Sequence, residues 1–145
     1  MNAARERLDS IAGEFAELEP RERLELLLEF AEKLPPLPEK YLAERDEGLG
    51  RVVECQTPVF LWVTLEDGRV HIDADVAPEA PTVKGFVSLL IDIFSGATPE
   101  EALAVDANVV ERFGLADPRA LGMVRMRGLH AITHYIRRKI AEAAA

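Results

Sequence analysis

Val59-Phe60-Leu61-Trp62-Val63-Thr64-Leu65-Glu66-Asp67-Gly68-Arg69-Val70-His71-Ile72-Asp73 decides how the chain folds. β-Branched and aromatic residues fill Val59 to Leu65, a Glu66-Asp67-Gly68 turn follows, and a second run begins at Arg69, which is the pattern of an antiparallel hairpin. Val59, Leu61 and Val63 point to one side while Phe60, Trp62 and Thr64 point to the other. Both faces are therefore apolar, and helices are expected to cover at least one. Pro58 fits at the strand start, where no ladder N–H is needed. Upstream, Val52-Val53 reads as another short strand, giving a sheet of about three.

Helical spacing surrounds this hairpin. Leu8, Ile11, Ala12, Phe15 and Leu18 recur on one stripe. Pro20 suits the first turn of a second helix, along which Leu24, Leu27, Leu28, Ala31 and Leu34 share a face until Pro35, Pro36 and Pro38 end it. Leu42 to Gly50, charged and closed by two glycines, reads as an exposed approach to the hairpin. Past Pro78 to Pro81, Val83, Phe86, Val87, Leu90 and Phe94 form a stripe whose flanks are apolar too, so this helix is expected at the centre of the core. Thr98-Pro99-Glu100-Glu101 has the form of a capping box, and Asp106 to Gly114 holds one more short helix. The last helix is expected from about Gly128, with Leu129, Ile132, Ile136 and Ile140 on one side. Arg137, Arg138 and Lys139 suit the negative end of its dipole. The whole reads as an α+β fold in a single domain, 1–145, in which the N-terminal helix within residues 1–19 could stand at the periphery.

Composition narrows the function classes. With 145 residues, 48% of them hydrophobic, the chain can close a core without metal or disulfide support. Seventeen Lys and Arg against 26 Asp and Glu leave a net charge of −9, which opposes a phosphate backbone, so nucleic acid is not an expected partner. No apolar run is long enough to span a bilayer and the first residues are charged, so neither a membrane nor a secretory route is expected, and the chain reads as cytoplasmic. Its one cysteine, Cys55, cannot form an internal disulfide, which agrees with a reducing compartment.

Two readings of Cys55 stand side by side. Free cysteine is commonly an inert, buried small hydrophobe. Yet Cys55 lies in a polar break, Glu54 to Pro58, between β-rich segments, and loops carried on a rigid scaffold are where reactive groups sit. His130 and His134 are spaced i, i+4, but with one cysteine and no further histidine pair they read as solvated side chains, and no metal site is expected.

Cys55-Gln56-Thr57-Pro58-Val59-Phe60, then Val83-Lys84-Gly85, then Arg125-Met126-Arg127-Gly128-Leu129, taken together and in that order, resemble the SufE family of sulfur acceptors. The resemblance covers the chain from about Leu24 onward. It implies a SufE/IscU-like fold and a Cys55 that takes sulfane sulfur from the persulfide of a SufS-like cysteine desulfurase. Cys55 would carry that sulfur as its own persulfide and deliver it to a SufBCD-like iron–sulfur scaffold. The resemblance implies no cofactor on this chain, since the pyridoxal phosphate belongs to the desulfurase, and a monomer or weak dimer. Arg125 is the first candidate to assist thiolate formation and Arg51 the second. Gln56, Thr57, Asp75, Lys84 and Gly85 are the expected partner-facing rim. The chain departs from the more familiar family pattern at Glu54, which replaces a glycine and as a neighbouring carboxylate disfavours a thiolate. It departs again at Phe60, in place of tryptophan, and at Val124, in place of serine. The competing readings are an iron–sulfur or zinc scaffold, which wants several thiolates where this chain offers one, and an adaptor in which Cys55 is packing alone.

Overall fold

A computed structural model describes residues 2–116 and 122–145. Its centre is the hairpin: β1 (Val59–Glu66) pairs antiparallel with β2 (Arg69–Val76), in a register running from Val59 opposite Val76 to Glu66 opposite Arg69. Asp67 and Gly68 between them both have positive φ, 54° and 76°, which is the two-residue turn whose twist matches that of the strands. Val59 and Leu61 of β1 and Val70, Ile72, Ala74 and Val76 of β2 are buried on the inner face.

Among the described residues the sheet has two strands rather than about three. Val52-Val53 does not extend into a strand: Arg51 makes an isolated bridge to Phe60, and the Val52 N–H donates to the Val59 carbonyl at 2.9 Å. The Cys55 N–H then donates to the Val52 carbonyl at 3.1 Å, turning the chain away. A turn closed immediately after Val52 leaves no extended residues to continue a ladder.

The outer face of β1 is covered by a strap made of a 3-10 turn at Glu39–Tyr41 and a short helix, α3 (Leu42–Asp46). Tyr41 stacks on Trp62 with ring centroids 4.7 Å apart, and Phe60 lies 6.4 Å from Trp62. Gly50 closes the strap at φ 78°, pressed so near the indole that a Cβ there would fall 2.8 Å from a ring carbon. The exposed approach expected at Leu42 to Gly50 is thus half-buried along its aromatic side.

The core is built around α4 (Pro81–Phe94), whose Val83, Phe86, Val87, Leu89, Leu90, Ile93 and Phe94 are all buried. Against it pack α1 (Ala3–Ala16), α2 (Pro20–Glu32), β2 and α7 (Met123–Ala144). The N-terminal helix is integral rather than peripheral: Ala4, Leu8, Ala12 and Phe15 are buried, and Phe15 meets Phe113 at 5.2 Å. On α2 the buried face is Leu27, Phe30 and Ala31, which leaves Leu28 exposed. Two short helices follow α4, namely α5 (Pro99–Leu103), opened by the expected capping box, and α6 (Val109–Arg112).

Arginines from neighbouring helices satisfy chain ends that would otherwise hold orphan carbonyls. Arg7 of α1 donates to the carbonyls of Ile93 and Ser95 at the end of α4. Arg137 does the same for Leu103 and Val105 after α5, so its role lies with another helix rather than with the dipole of its own. Finally, α7 begins at Met123, ahead of the Gly128 start expected from the apolar stripe, because Met123 to Arg127 form a helical turn that is largely exposed and carries no core pattern.

Candidate functional site

The loop between Arg51 and β1 presents Cys55. With Val52 and Val59 both buried and joined by a hydrogen bond, residues 52–59 form a closed excursion whose inward-turned side chain is Cys55, 3% exposed. Val53, Glu54, Gln56 and Pro58 face outward. The thiol nonetheless lines an open pocket of 210 Å³, with Gln56 and Thr57 from the loop, Val83 from α4, and Val124, Arg125 and Gly128 from α7. A neighbouring pocket of 320 Å³ shares Thr57, Val83 and Arg125 and runs on over Ala77 to Thr82. Two helices and one loop, distant in sequence, therefore converge on a single sulfur.

Burial pushes the Cys55 thiol above its ordinary pKa, since a thiolate loses its hydration there. A backbone hydrogen bond from Thr57 and the charge of Arg51 act in the opposite direction and are smaller. Arg51 is held beside the loop with its guanidinium 5.9 Å from the Phe60 ring. Of the two arginines singled out in the sequence, Arg51 thus supplies the charge that acts on the resting thiol, while Arg125 lines the pocket and is exposed. Glu54, expected to oppose ionisation, faces solvent, and desolvation rather than its carboxylate is what holds the thiol neutral.

This balance predicts a pH response. Cys55 should react slowly with iodoacetamide at neutral pH, and Arg51→Ala should move the alkylation curve further to the alkaline side. An unmoved curve would show that the charge of Arg51 does not reach the sulfur. The folded state also holds the thiol proton more tightly than the unfolded chain, whose thiol ionises near about pH 8.5. The resulting stability is fully present below that value and is lost as pH rises through the folded-state pKa. Cys55→Ala should abolish this part of the alkaline destabilisation in urea melts.

The other rim candidates divide. Gln56 and Thr57 are at the pocket. Lys84 and Gly85 line neither pocket. Lys84 is half-buried in the first turn of α4, and Gly85 is buried where α4 crosses α2, its missing side chain facing the backbone of Leu27. Gly85 is thus a packing contact and not a partner-facing residue. Asp75 lies opposite Phe60 in β2, is tied to Arg45 of the strap, Nη1 to Oδ2 3.2 Å, and lines neither pocket. His130 approaches Glu111 at 3.4 Å and His71 sits between Glu66 and Asp73, while His134 is exposed. Among the described residues no three of His, Cys, Asp and Glu gather in an arrangement that holds a metal ion. No helix among them is long and apolar enough to cross a membrane.

A pocket for Cys55 walled by apolar residues of the strands and of the core helix is expected from the sequence, and Val83 of α4 fulfils the helix part of it, whereas no wall was expected at Val124 or Gly128. Gly128 had a visible signal, a glycine inside a helical run, but that signal is hidden when the helix is started at Gly128 itself.

Residues 9–140 match the model of the SufE family, described as an Fe-S metabolism associated domain. The chain belongs to the SufE family. It is 37% identical to an uncharacterized SufE-like protein of Mycobacterium tuberculosis over 137 residues, 94% of this chain and 92% of that one. It is also 37% identical over 102 residues to SufE-like protein 2, chloroplastic, of Arabidopsis thaliana, covering 69% of this chain and 37% of that protein. In three dimensions it is similar to the solution structure of a hypothetical protein from Thermus thermophilus, with a TM-score of 0.79 and 34% identity over 95% of this chain and 96% of the other. SufE membership places the protein in Fe-S metabolism and sulfur transfer.

Proposed function

We propose that this SufE-family protein is a persulfide carrier. Cys55 accepts sulfane sulfur from a pyridoxal-phosphate cysteine desulfurase, holds it as Cys55–S–SH, stimulates the desulfurase by removing that sulfur, and delivers it to an iron–sulfur cluster assembly scaffold. The observation that carries this reading is one thiol, almost wholly hidden from solvent yet lining an open pocket, on a loop tied down at both ends.

The chemistry follows from what the pocket offers. The Cys55 thiolate attacks the outer sulfur of the donor's persulfide, the sulfur–sulfur bond of the donor breaks, and the donor cysteine leaves as its thiolate. A desolvated resting thiol is a poor nucleophile, which suits a carrier that must not react in passing. Activation then accompanies docking, when Cys55 turns outward and burial no longer opposes ionisation. The rim suits a protein donor, because Val53, Met123 and Val124 beside the pocket are 76%, 68% and 60% exposed, large apolar side chains that a partner surface would cover. Arg125 lines the pocket with the thiol, and in this reading its charge stabilises the sulfurs during transfer.

The test is mass spectrometry of the protein after incubation with a cognate desulfurase and L-cysteine, with peptide mapping. The expected product is one added sulfur atom on the Cys55 peptide, and absence of any added sulfur would end the carrier reading. Arg125→Ala should slow loading by about 100-fold, the lower end for a lost transition-state charge donor because Arg125 is exposed, with an unchanged melting temperature. Equal loading rates would remove Arg125 from the site.

A further inference from the structure

Glycine is the poorest helix former after proline, so one inside a helix calls for a reason. Gly128 lies in the second turn of α7, and its backbone does not occupy the left-handed region that would demand glycine. It is nevertheless buried. A Cβ built on it would meet one atom within 4 Å outside its own helix backbone and chain neighbours, the Sγ of Cys55, at 3.2 Å. That is tighter than van der Waals contact, and the atom concerned is the one the proposed chemistry uses.

We propose that Gly128 is the positioning residue for the sulfur that bears the load: its missing side chain leaves the seat on α7 in which Cys55 Sγ lodges between transfers, and a single methyl group there pushes Sγ out of that seat. This deepens the carrier reading and rests on it. The seat matters because a persulfide can be lost to any small thiol. A thiolate R–S⁻ that attacks the outer sulfur yields R–S–SH and Cys55–S⁻, and one that attacks the inner sulfur yields R–S–S–Cys55 and HS⁻. Both attacks need an approach along the sulfur–sulfur axis. A sulfur set against bare helix backbone, on a residue only 3% exposed and with Val83 and Val124 on the pocket walls, leaves little room for that approach.

Gly128→Ala separates this role from a merely structural one, since alanine favours the helix. Four proteins are compared: wild type, Gly128→Ala, Cys55→Ala and the double variant. In the Cys55→Ala background, Gly128→Ala should raise the Tm by about 3 °C through helix propensity. With Cys55 present that gain should vanish or reverse, a coupling that a double-mutant cycle reads directly. Iodoacetamide should alkylate Cys55 of Gly128→Ala at least about threefold faster at neutral pH, because a thiol pushed out of the pocket is accessible and is no longer held neutral by burial. Persulfide placed on the protein chemically with polysulfide, no desulfurase being present, should decay at least about threefold faster in reduced glutathione, as expected of a thiol made accessible. Additive stabilities with unchanged alkylation would overturn the seat, and unchanged persulfide decay would overturn its protective role. If a desulfurase fails to load the wild type, the carrier reading falls, while the stability and alkylation results still decide what Gly128 does.

Discussion

Cys55→Ser is expected to reduce sulfur acceptance to background, about 10³-fold or more, the scale seen when a nucleophile is removed. The serine hydroxyl matches the thiol in shape but cannot form a persulfide, so peptide mapping after reaction with the desulfurase should find no added sulfur anywhere in the chain, which holds no other cysteine. The fold should survive. The oxygen would sit where Sγ now faces Gly128 and can accept the backbone hydrogen bond from Thr57, and the loop hydrogen bonds at Val52 and Cys55 are made by the backbone. The decisive readout is desulfurase turnover. A carrier predicts that Cys55→Ser no longer accelerates alanine production, since the donor's persulfide is not cleared. A variant that binds and still stimulates at the wild-type level would mark the protein as an adaptor in which Cys55 is packing.

The second large effect concerns stability. Gly85→Ala should destabilise the protein by about 2–3 kcal/mol and lower its Tm by roughly 5–10 °C, with thermal or urea unfolding as the measure. Gly85 lies in α4, and a Cβ on it would overlap the Leu27 carbonyl oxygen of α2 and stand 2.7 Å from the carbonyl carbon. Helix propensity alone would favour alanine by about 1 kcal/mol. The obstacle, however, is backbone, which cannot rotate aside as a side chain does, so α2 and α4 must separate along the contact in which Gly85 meets the buried Leu27. Overpacking therefore wins. A Gly85→Ala protein as stable as wild type would show that the helices part without loss. Gly85 and Gly128 make a useful contrast: one yields space to a rigid helix, the other to a single mobile sulfur.

Much of this was readable in residue patterns. The hairpin from Val59 to Asp73 announced itself by alternation and by Asp67-Gly68, and α4 by an apolar stripe so broad that only a central position suits it. Those signals are local, set by two-residue and 3.6-residue periods that the backbone imposes regardless of what packs nearby. Val52-Val53 misled for the complementary reason. Two β-branched residues satisfy the local preference for a strand, yet the turn closed by the Cys55 N–H ends it, and β-propensity yields to such context. The start of α7 was hidden because Met123 to Arg127 form a turn with little to bury, so no apolar period marks it. The rim residues divided likewise: Gln56 and Thr57 follow the cysteine into the pocket as chain neighbours must, whereas Asp75 and Gly85 went to contacts with Arg45 and Leu27 that no spacing reveals.

By itself the amino-acid sequence determined the hairpin, the longer helices in their order, the one thiol available for chemistry and the net negative charge. Only the tertiary structure decided that this sulfur is hidden, that burial outweighs Arg51 in setting its ionisation, and that the bare backbone of Gly128 faces it. The reason is physical: a side chain's protonation and reach depend on the atoms around it in space, and here those atoms come from α4 and α7, segments whose meeting at the Cys55 loop is a property of the packed core and of no stretch of chain alone.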